Sequence, residues 1–180
     1  SLDQEQSGRF RSAQEELRRF LPWFRVVTDR QLTPELMRRH IDFIRHETKS
    51  QYTMVVIDSL HKLPFKDLSE RRTGIDGWLR QLEAIRDELN VSFLVISELS
   101  RGKDDKYDIQ PHLGSFKGTG DIEYSADNAL VLLPSWDPFD SGPLDQRVNS
   151  LWLVASREHS PGKVADYRLD YRYWGFEEKR

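Results

Sequence analysis

Two hydrophobic periods alternate along the chain, and their alternation predicts the elements. Met37, Ile41 and Ile44 recur at helical spacing behind Thr33-Pro34-Glu35, where a hydroxyl cap precedes a proline whose missing N–H costs nothing at the first helical position. A second helix is predicted from Arg71 to Asn90. It places Ile75, Trp78, Leu79, Leu82, Ile85 and Leu89 on one face and Arg80, Glu83, Arg86 and Asp87 on the other, with Asn90 as its stop. Met54 to Ile57, Ala129 to Leu133 and Leu151 to Val154 are apolar at every position, and Val91 to Ile96 at all but Ser92, as strands covered on both faces are. Helix and buried strand in turn imply crossovers over a parallel sheet, so the expected fold is α/β in a single domain, 1–180. Val164 to Phe176 mixes charges and aromatics in rough alternation, which predicts an antiparallel hairpin at an edge. Residues 101–120 and 134–149 carry no period and are predicted loops, the second holding Pro134, Pro138 and Pro143. Loops of such length tend to be functional or mobile.

Composition narrows the classes. With 37% hydrophobic and 32% charged residues the chain has apolar material for a core, which excludes disorder throughout. The apolar runs fall far short of the roughly 18 residues that a membrane span requires. There is no cysteine, hence no disulfide, thiolate zinc site or cysteine nucleophile, and a reducing compartment, the cytoplasm, is the default expectation. A net charge of -3 exerts no global pull on nucleic acid, so any such contact needs a local patch. Ser1-Leu2-Asp3-Gln4 is not a signal peptide, and the lack of an initiator methionine suggests a piece of something longer. The five histidines show no ligand spacing, and Trp78 is expected in the core. Tyr167, Tyr171, Tyr173 and Trp174 suit either base stacking or packing of the terminal hairpin, the second being the ordinary role.

Ligand crevices in open parallel sheets lie outside the carboxyl ends of the strands. That rule selects Asp58, which closes Met54 to Ile57, and Glu98, which follows Val91 to Ile96 and Ser97. Four apolar residues and then aspartate is how a strand delivers a carboxylate to a magnesium-nucleotide site, where it holds the hydrated ion through water. The same spacing suits an aspartate that only caps the turn Ser59-Leu60-His61. A phosphate-cradling loop requires Gly, four residues and Gly-Lys-Ser/Thr. Gly102-Lys103 and Gly162-Lys163 both lack the earlier glycine and the following hydroxyl.

Several blocks, in order, resemble the DnaB-type replicative helicases with their RecA-like ATPase core. Ser1-Leu2-Asp3 is similar to that family's Ser-Leu-Glu, and Val55-Val56-Ile57-Asp58-Ser59-Leu60 to its Walker B strand. Leu89-Asn90-Val91 leading to Ser97-Glu98-Leu99-Ser100-Arg101 resembles its "elnv…sqlnr" block. Phe116 to Asp127 resembles "lresgsieqdad", and Ala155 to Gly162 resembles "akqrngptg". The resemblance covers essentially the whole chain. It implies a RecA-like, three-layer P-loop NTPase fold with a mostly parallel central sheet and a C-terminal antiparallel hairpin, starting just after the phosphate loop.

The resemblance also implies roles. ATP and Mg2+ are the implied cofactors, with Asp58 holding the metal through water. The implied partners are single-stranded DNA and further copies of the chain in a ring, a hexamer. Asp3 stands where the family's glutamate polarises the attacking water, one methylene shorter. Glu98 stands at the glutamine that senses the terminal phosphate, where a carboxylate repels phosphate unless magnesium or Arg101 compensates. Lys103, Lys106 and Lys117 are placed to touch DNA, although with Asp104, Asp105 and Asp108 among them they equally suit a solvated loop. The family's lysine and arginine that enter the neighbouring nucleotide site fall at Ser156 and Glu158, leaving Arg157, one place off, as the available cation. Those departures keep open a degenerate RecA-like module that binds or assembles without hydrolysis. Asp58 and Glu98 by themselves leave open a magnesium-dependent phosphohydrolase or nuclease.

Overall fold

Asp3 starts the first helix by a reciprocal cap. Its carboxylate accepts from the Gln6 N–H at 2.7 Å while its own N–H donates to the Gln6 side chain at 3.1 Å. The computed structural model describes residues 3–65, 71–101, 107, 110–117, 121–134, 148–170 and 175–179, apart from the side chains of Arg71, Arg72, Asp121 and Glu123. Helix α1 (Gln4–Phe20) buries none of its residues and leads into a short turn, Leu21–Trp23. The hydrophobic pattern missed α1, because its apolar residues are few; the legible signal was the Asp3–Gln6 capping box.

Helix α2 (Pro34–Thr48) starts as expected, Thr33 Oγ1 accepting from the Leu36 N–H at 3.1 Å, and buries Met37 and Ile41. Strand β1 (Met54–Asp58) follows, then the turn Leu60–Lys62, helix α3 (Arg71–Leu89) and strand β2 (Ser92–Ile96). β1 and β2 pair in parallel, Met54 opposite Ser92 and Asp58 opposite Ile96, with α3 as the crossover. Asn90 ends α3 in the left-handed region (φ 49°), which asparagine tolerates better than most residues. Short helix α4 (Asp121–Ser125) precedes β3 (Asn128–Pro134), β4 (Val148–Ser156), β5 (Gly162–Asp170) and β6 (Gly175–Glu178), which form a four-stranded antiparallel sheet in chain order. The fold class is thus α/β as expected, but among the described strands only β1 and β2 are parallel. The runs Ala129 to Leu133 and Leu151 to Val154, expected in the parallel sheet, pair antiparallel because no described helix crosses over between them, and they widen the terminal hairpin β5–β6. Tyr167 meets Phe176 edge to face across that hairpin at 6.3 Å, so this aromatic packs; Tyr171, Tyr173 and Trp174 lie outside the described residues.

A second expectation needs correction. The apolar runs are not covered on both faces. In β1 and β2, Ile57 is buried whereas Met54, Val56, Leu94 and Ile96 are exposed, and β3 alternates strictly between buried and exposed positions. The reason is layering: α2 and α3 cover one side of the parallel pair, and no described element covers the other. Loop 101–120 is described at 101, 107 and 110–117, and of 134–149 only the strand residues at its two ends are described.

Met37, Ile41, Ile57, Leu60, Ile75, Trp78, Leu82 and Ile85 dominate the larger core, where the Trp78 indole N–H donates to the Pro64 carbonyl at 2.8 Å. Ala129, Val131, Leu133 and Val154 form a second core, and Phe116 packs against both. Arg45 binds the end of α3 to the start of β1, donating to the carbonyls of Leu89 (2.7 Å) and Asn90 (3.2 Å) and to Thr53 Oγ1 (3.0 Å). Charged hydrogen bonds to orphan helix carbonyls are worth more than neutral ones, so Arg45→Ala is expected to lower unfolding free energy by about 2 kcal/mol, read by denaturant titration.

In the antiparallel sheet, Lys163 and then Ser150 hold the Asp166 carboxyl below the ordinary aspartate range. A depressed folded-state pKa contributes stability above the unfolded value and loses it as pH falls through the folded one. Asp166→Asn is therefore expected to flatten the acid limb of the stability profile, measured by melting at pH values from neutral down to strongly acidic.

Candidate functional site

β1 alternates sides, so Val55 and Ile57 face the helices while Met54, Val56 and Asp58 face outward. The Asp58 carboxylate therefore stands exposed at the carboxyl end of the strand, and the Asp58–Ser59 peptide that follows is cis. A groove of about 360 Å³ runs along β1 to this point, lined by β1 from Met54 to Asp58 and by Met37, Ile41 and Ile44 of α2, with Arg25, Arg30 and Lys62 as cations and Asp29 and Asp58 as carboxylates. Among the described residues no three His, Asp or Glu side chains converge as metal ligands. One outward carboxylate at a strand end fits a magnesium ion that keeps most of its water and is held on its other side by phosphate oxygens; it does not fit an all-protein cage.

Glu98 lies two residues past Ile96, the partner of Asp58, so both carboxylates rise from adjacent strand ends on one rim. Its oxygen is 2.9 Å from Lys117 Nζ, and the Lys117 N–H donates to the Glu98 carbonyl at 2.9 Å. Around that pair, Leu99 bridges Phe116 antiparallel and the Ser100 N–H donates to the Ser115 carbonyl at 2.8 Å. The loop that leaves after Ser100 thus returns onto its own starting point. Lys117 is a cation held against Glu98, and it offsets the carboxylate that the resemblance puts at the phosphate-sensing position. Arg101 lies over the Tyr107 ring at 5.6 Å. Glu98 and Lys117 are 19 positions apart, and nothing in the spacing signals the pairing.

The other anticipated residues divide. Asp3 is engaged as the cap of α1 and does not line the groove at Asp58. Lys103 and Lys106 lie outside the described residues. Arg157 sits just past the end of β4, where a bulge at Val154 has already shifted the register against β3, so strand alternation no longer dictates its direction. Its Nε is 3.2 Å from Asp127, and its N–H donates to the Asp127 carbonyl at 3.0 Å; the side chain is otherwise largely exposed. Ser156, where a lysine stands in the similar family, builds the turn: its hydroxyl donates to Asn128 at 2.7 Å and accepts from the N–H groups of Glu158 and His159 at 3.1 Å each.

One residue that the sequence pattern did not single out is His61. It is buried in the turn after Asp58 and touches both Glu98 and Lys117 through their backbones. Its position directly behind a strand-end aspartate was the available signal.

Comparison with known proteins identifies the family and the fold. The family profile described as DnaB-like helicase C terminal domain matches residues 1–162. The replicative DNA helicase DnaB of Mycobacterium intracellulare is 30% identical over 122 residues, 67% of this chain and 21% of that protein. The replicative DNA helicase DnaC of Bacillus subtilis is 26% identical over 123 residues, 67% of this chain and 27% of that one. The chain thus spans about a quarter of the curated relatives it matches. Among solved structures, one described as an ATPase domain superposes with a TM-score of 0.70 at 21% identity, covering 82% of this chain and 52% of that one. A DnaB-like replicative helicase, described with its interactions with primase, gives 0.67 at 22% identity, covering 80% and 34%.

Proposed function

Since the chain belongs to the family of DnaB-like helicase C-terminal domains, we propose that it is the part of a replicative helicase motor that carries the magnesium and phosphate-sensing rim. In the full-length protein this motor uses ATP to move along single-stranded DNA as a ring. The observation that supports the reading is the placement of Asp58 and Glu98 on adjacent parallel strand ends, with Glu98 tied to the loop residue Lys117.

In this reading Asp58 orients a hydrated Mg2+, which neutralises the charge that develops on the transferred phosphoryl group. Glu98 faces the terminal phosphate, its ion pair with Lys117 making the carboxylate tolerable beside an anion. Asp3 polarises the attacking water once it leaves its capping role, and Arg157 reaches the nucleotide held by the neighbouring copy. Lys103, Lys106 and Lys117 contact the DNA backbone. The 180 residues contain no phosphate-cradling loop, so by themselves they are expected to show no ATP turnover. Turnover by these residues alone, abolished by Asp58→Ala, would contradict the placement of the nucleotide.

Lys117 provides the test on the DNA side. A lysine that meets a phosphate adds sequence-independent affinity and one released counterion. Lys117→Ala in the full-length protein is expected to weaken single-stranded DNA binding and to lower the slope of log affinity against log salt by about 1. An unchanged slope removes Lys117 from the DNA contact. The turn made by Ser156 and the pairing of Arg157 with Asp127 favour, as a second reading, a module that assembles without hydrolysing. An inactive full-length protein that still forms rings would support it.

A further inference from the structure

We propose that His61 is the positioning residue through which single-stranded DNA at Lys117 acts on the nucleotide rim. The proposal rests on the helicase reading and adds to it a residue that none of the assigned roles uses.

His61 is 6% exposed and lies three residues after Asp58. Its Nε2 is 2.7 Å from the Lys117 carbonyl oxygen, which only accepts, so Nε2 carries the hydrogen. That leaves the lone pair of Nδ1 to accept from the Glu98 N–H, at 3.4 Å. One neutral tautomer thus serves both partners, and those partners are the two ends of a clip. Residues 98–100 and 115–117 pair antiparallel, through the bonds between Lys117 and Glu98 and between Ser100 and Ser115.

The clip has a register, and the register decides what Lys117 does. Phe116 packs between the two cores while Lys117 points to Glu98 and solvent. A slip of one residue would exchange their faces, burying the ammonium and exposing the ring. The exposed Lys117–Glu98 ion pair is too weak to hold that register alone, since pairs in water contribute about 0–1 kcal/mol. His61 grips the carbonyl of Lys117 from the buried side, on the same turn that follows Asp58. A displacement of the returning loop by DNA is therefore passed as a unit to Glu98 and to the Asp58 turn, because all three meet at one imidazole.

The test uses the full-length protein, with ATP turnover measured with and without a single-stranded oligonucleotide. His61→Ala is expected to reduce the DNA stimulation ratio about tenfold, the range of ordinary coupling free energies, over and above any change in basal turnover. His61→Gln supplies an amide N–H for Lys117 and an amide oxygen for Glu98, and it is expected to restore most of the ratio. Equal loss in both variants would assign His61 to packing and overturn the proposal, as would an unchanged ratio in His61→Ala. If His61→Ala does not fold, amide exchange on the unsubstituted protein decides. DNA should change protection at 97–100 and 115–117 together, and a change confined to one side overturns the coupling. Asp58→Ala separates the two levels: turnover unaffected by it sinks the helicase reading, whereas turnover abolished by it, with a normal ratio in His61→Ala, sinks only the role of His61.

Discussion

Asp58→Ala in the full-length protein is expected to lower ATP turnover by about 10²- to 10³-fold, because in the proposed motor the metal that Asp58 would orient supplies several kcal/mol of charge stabilisation in the transition state. The carboxylate is exposed at the end of β1 and belongs to neither core, so its removal should leave the melting temperature nearly unchanged. That combination is the discriminating result: a large loss in rate with an intact fold. Asp58→Asn retains shape and loses charge, and it should be impaired almost as severely, with partial recovery at raised magnesium concentration. If the alanine variant instead loses stability and rate in parallel, Asp58 caps the Ser59-Leu60-His61 turn and the metal lies elsewhere.

The second large effect concerns Arg157. A guanidinium supplied to a neighbouring nucleotide is worth about 10³- to 10⁵-fold in turnover, so Arg157→Ala is expected to lose at least the lower figure while nucleotide binding to each copy persists. Because Asp58 and Arg157 would then serve one site from two copies, rings mixed from Asp58→Ala and Arg157→Ala subunits regenerate intact sites. Random mixing in equal amounts leaves about a quarter of the interfaces with both residues. Turnover of the mixture should exceed that of either variant alone by a corresponding margin. No recovery on mixing would show that Arg157 acts within its own chain, where it holds Asp127 together with Arg86.

The pairing of Arg157 with Asp127 shapes that expectation. Arg157 must release Asp127 to reach a neighbour, and the 3.2 Å contact is an exposed ion pair, which costs little to break. Ser156 cannot take over as a cation, and its hydroxyl is occupied in turning the chain after β4. In the proposed motor the trans contact thus depends on one arginine where the similar family uses two cations.

Much of this was legible from residue types in order. Thr33-Pro34 started α2 and Asn90 closed α3, since caps and stops are local events decided by one or two side chains. The strand positions were legible because β-rich apolar runs are short and bounded. Whether both faces of those runs are covered was not legible, because coverage depends on which layers are present, and Met54, Val56, Leu94 and Ile96 face outward. Asp58 was found by a rule about strand ends that requires only its place after an apolar run.

What the amino-acid order determined by itself is therefore the local grammar: helices, strands, the absence of a phosphate-cradling loop, and a carboxylate at each of two strand ends. Tertiary structure alone decided the partners. It brought Lys117 to Glu98 across 19 positions, set His61 beneath both, shifted the β4 register at Val154 and tied Arg157 to Asp127. The physical reason is range. Backbone propensity and capping act within a turn or two of chain, whereas a hydrogen bond between distant residues exists only once packing has closed the loop between them.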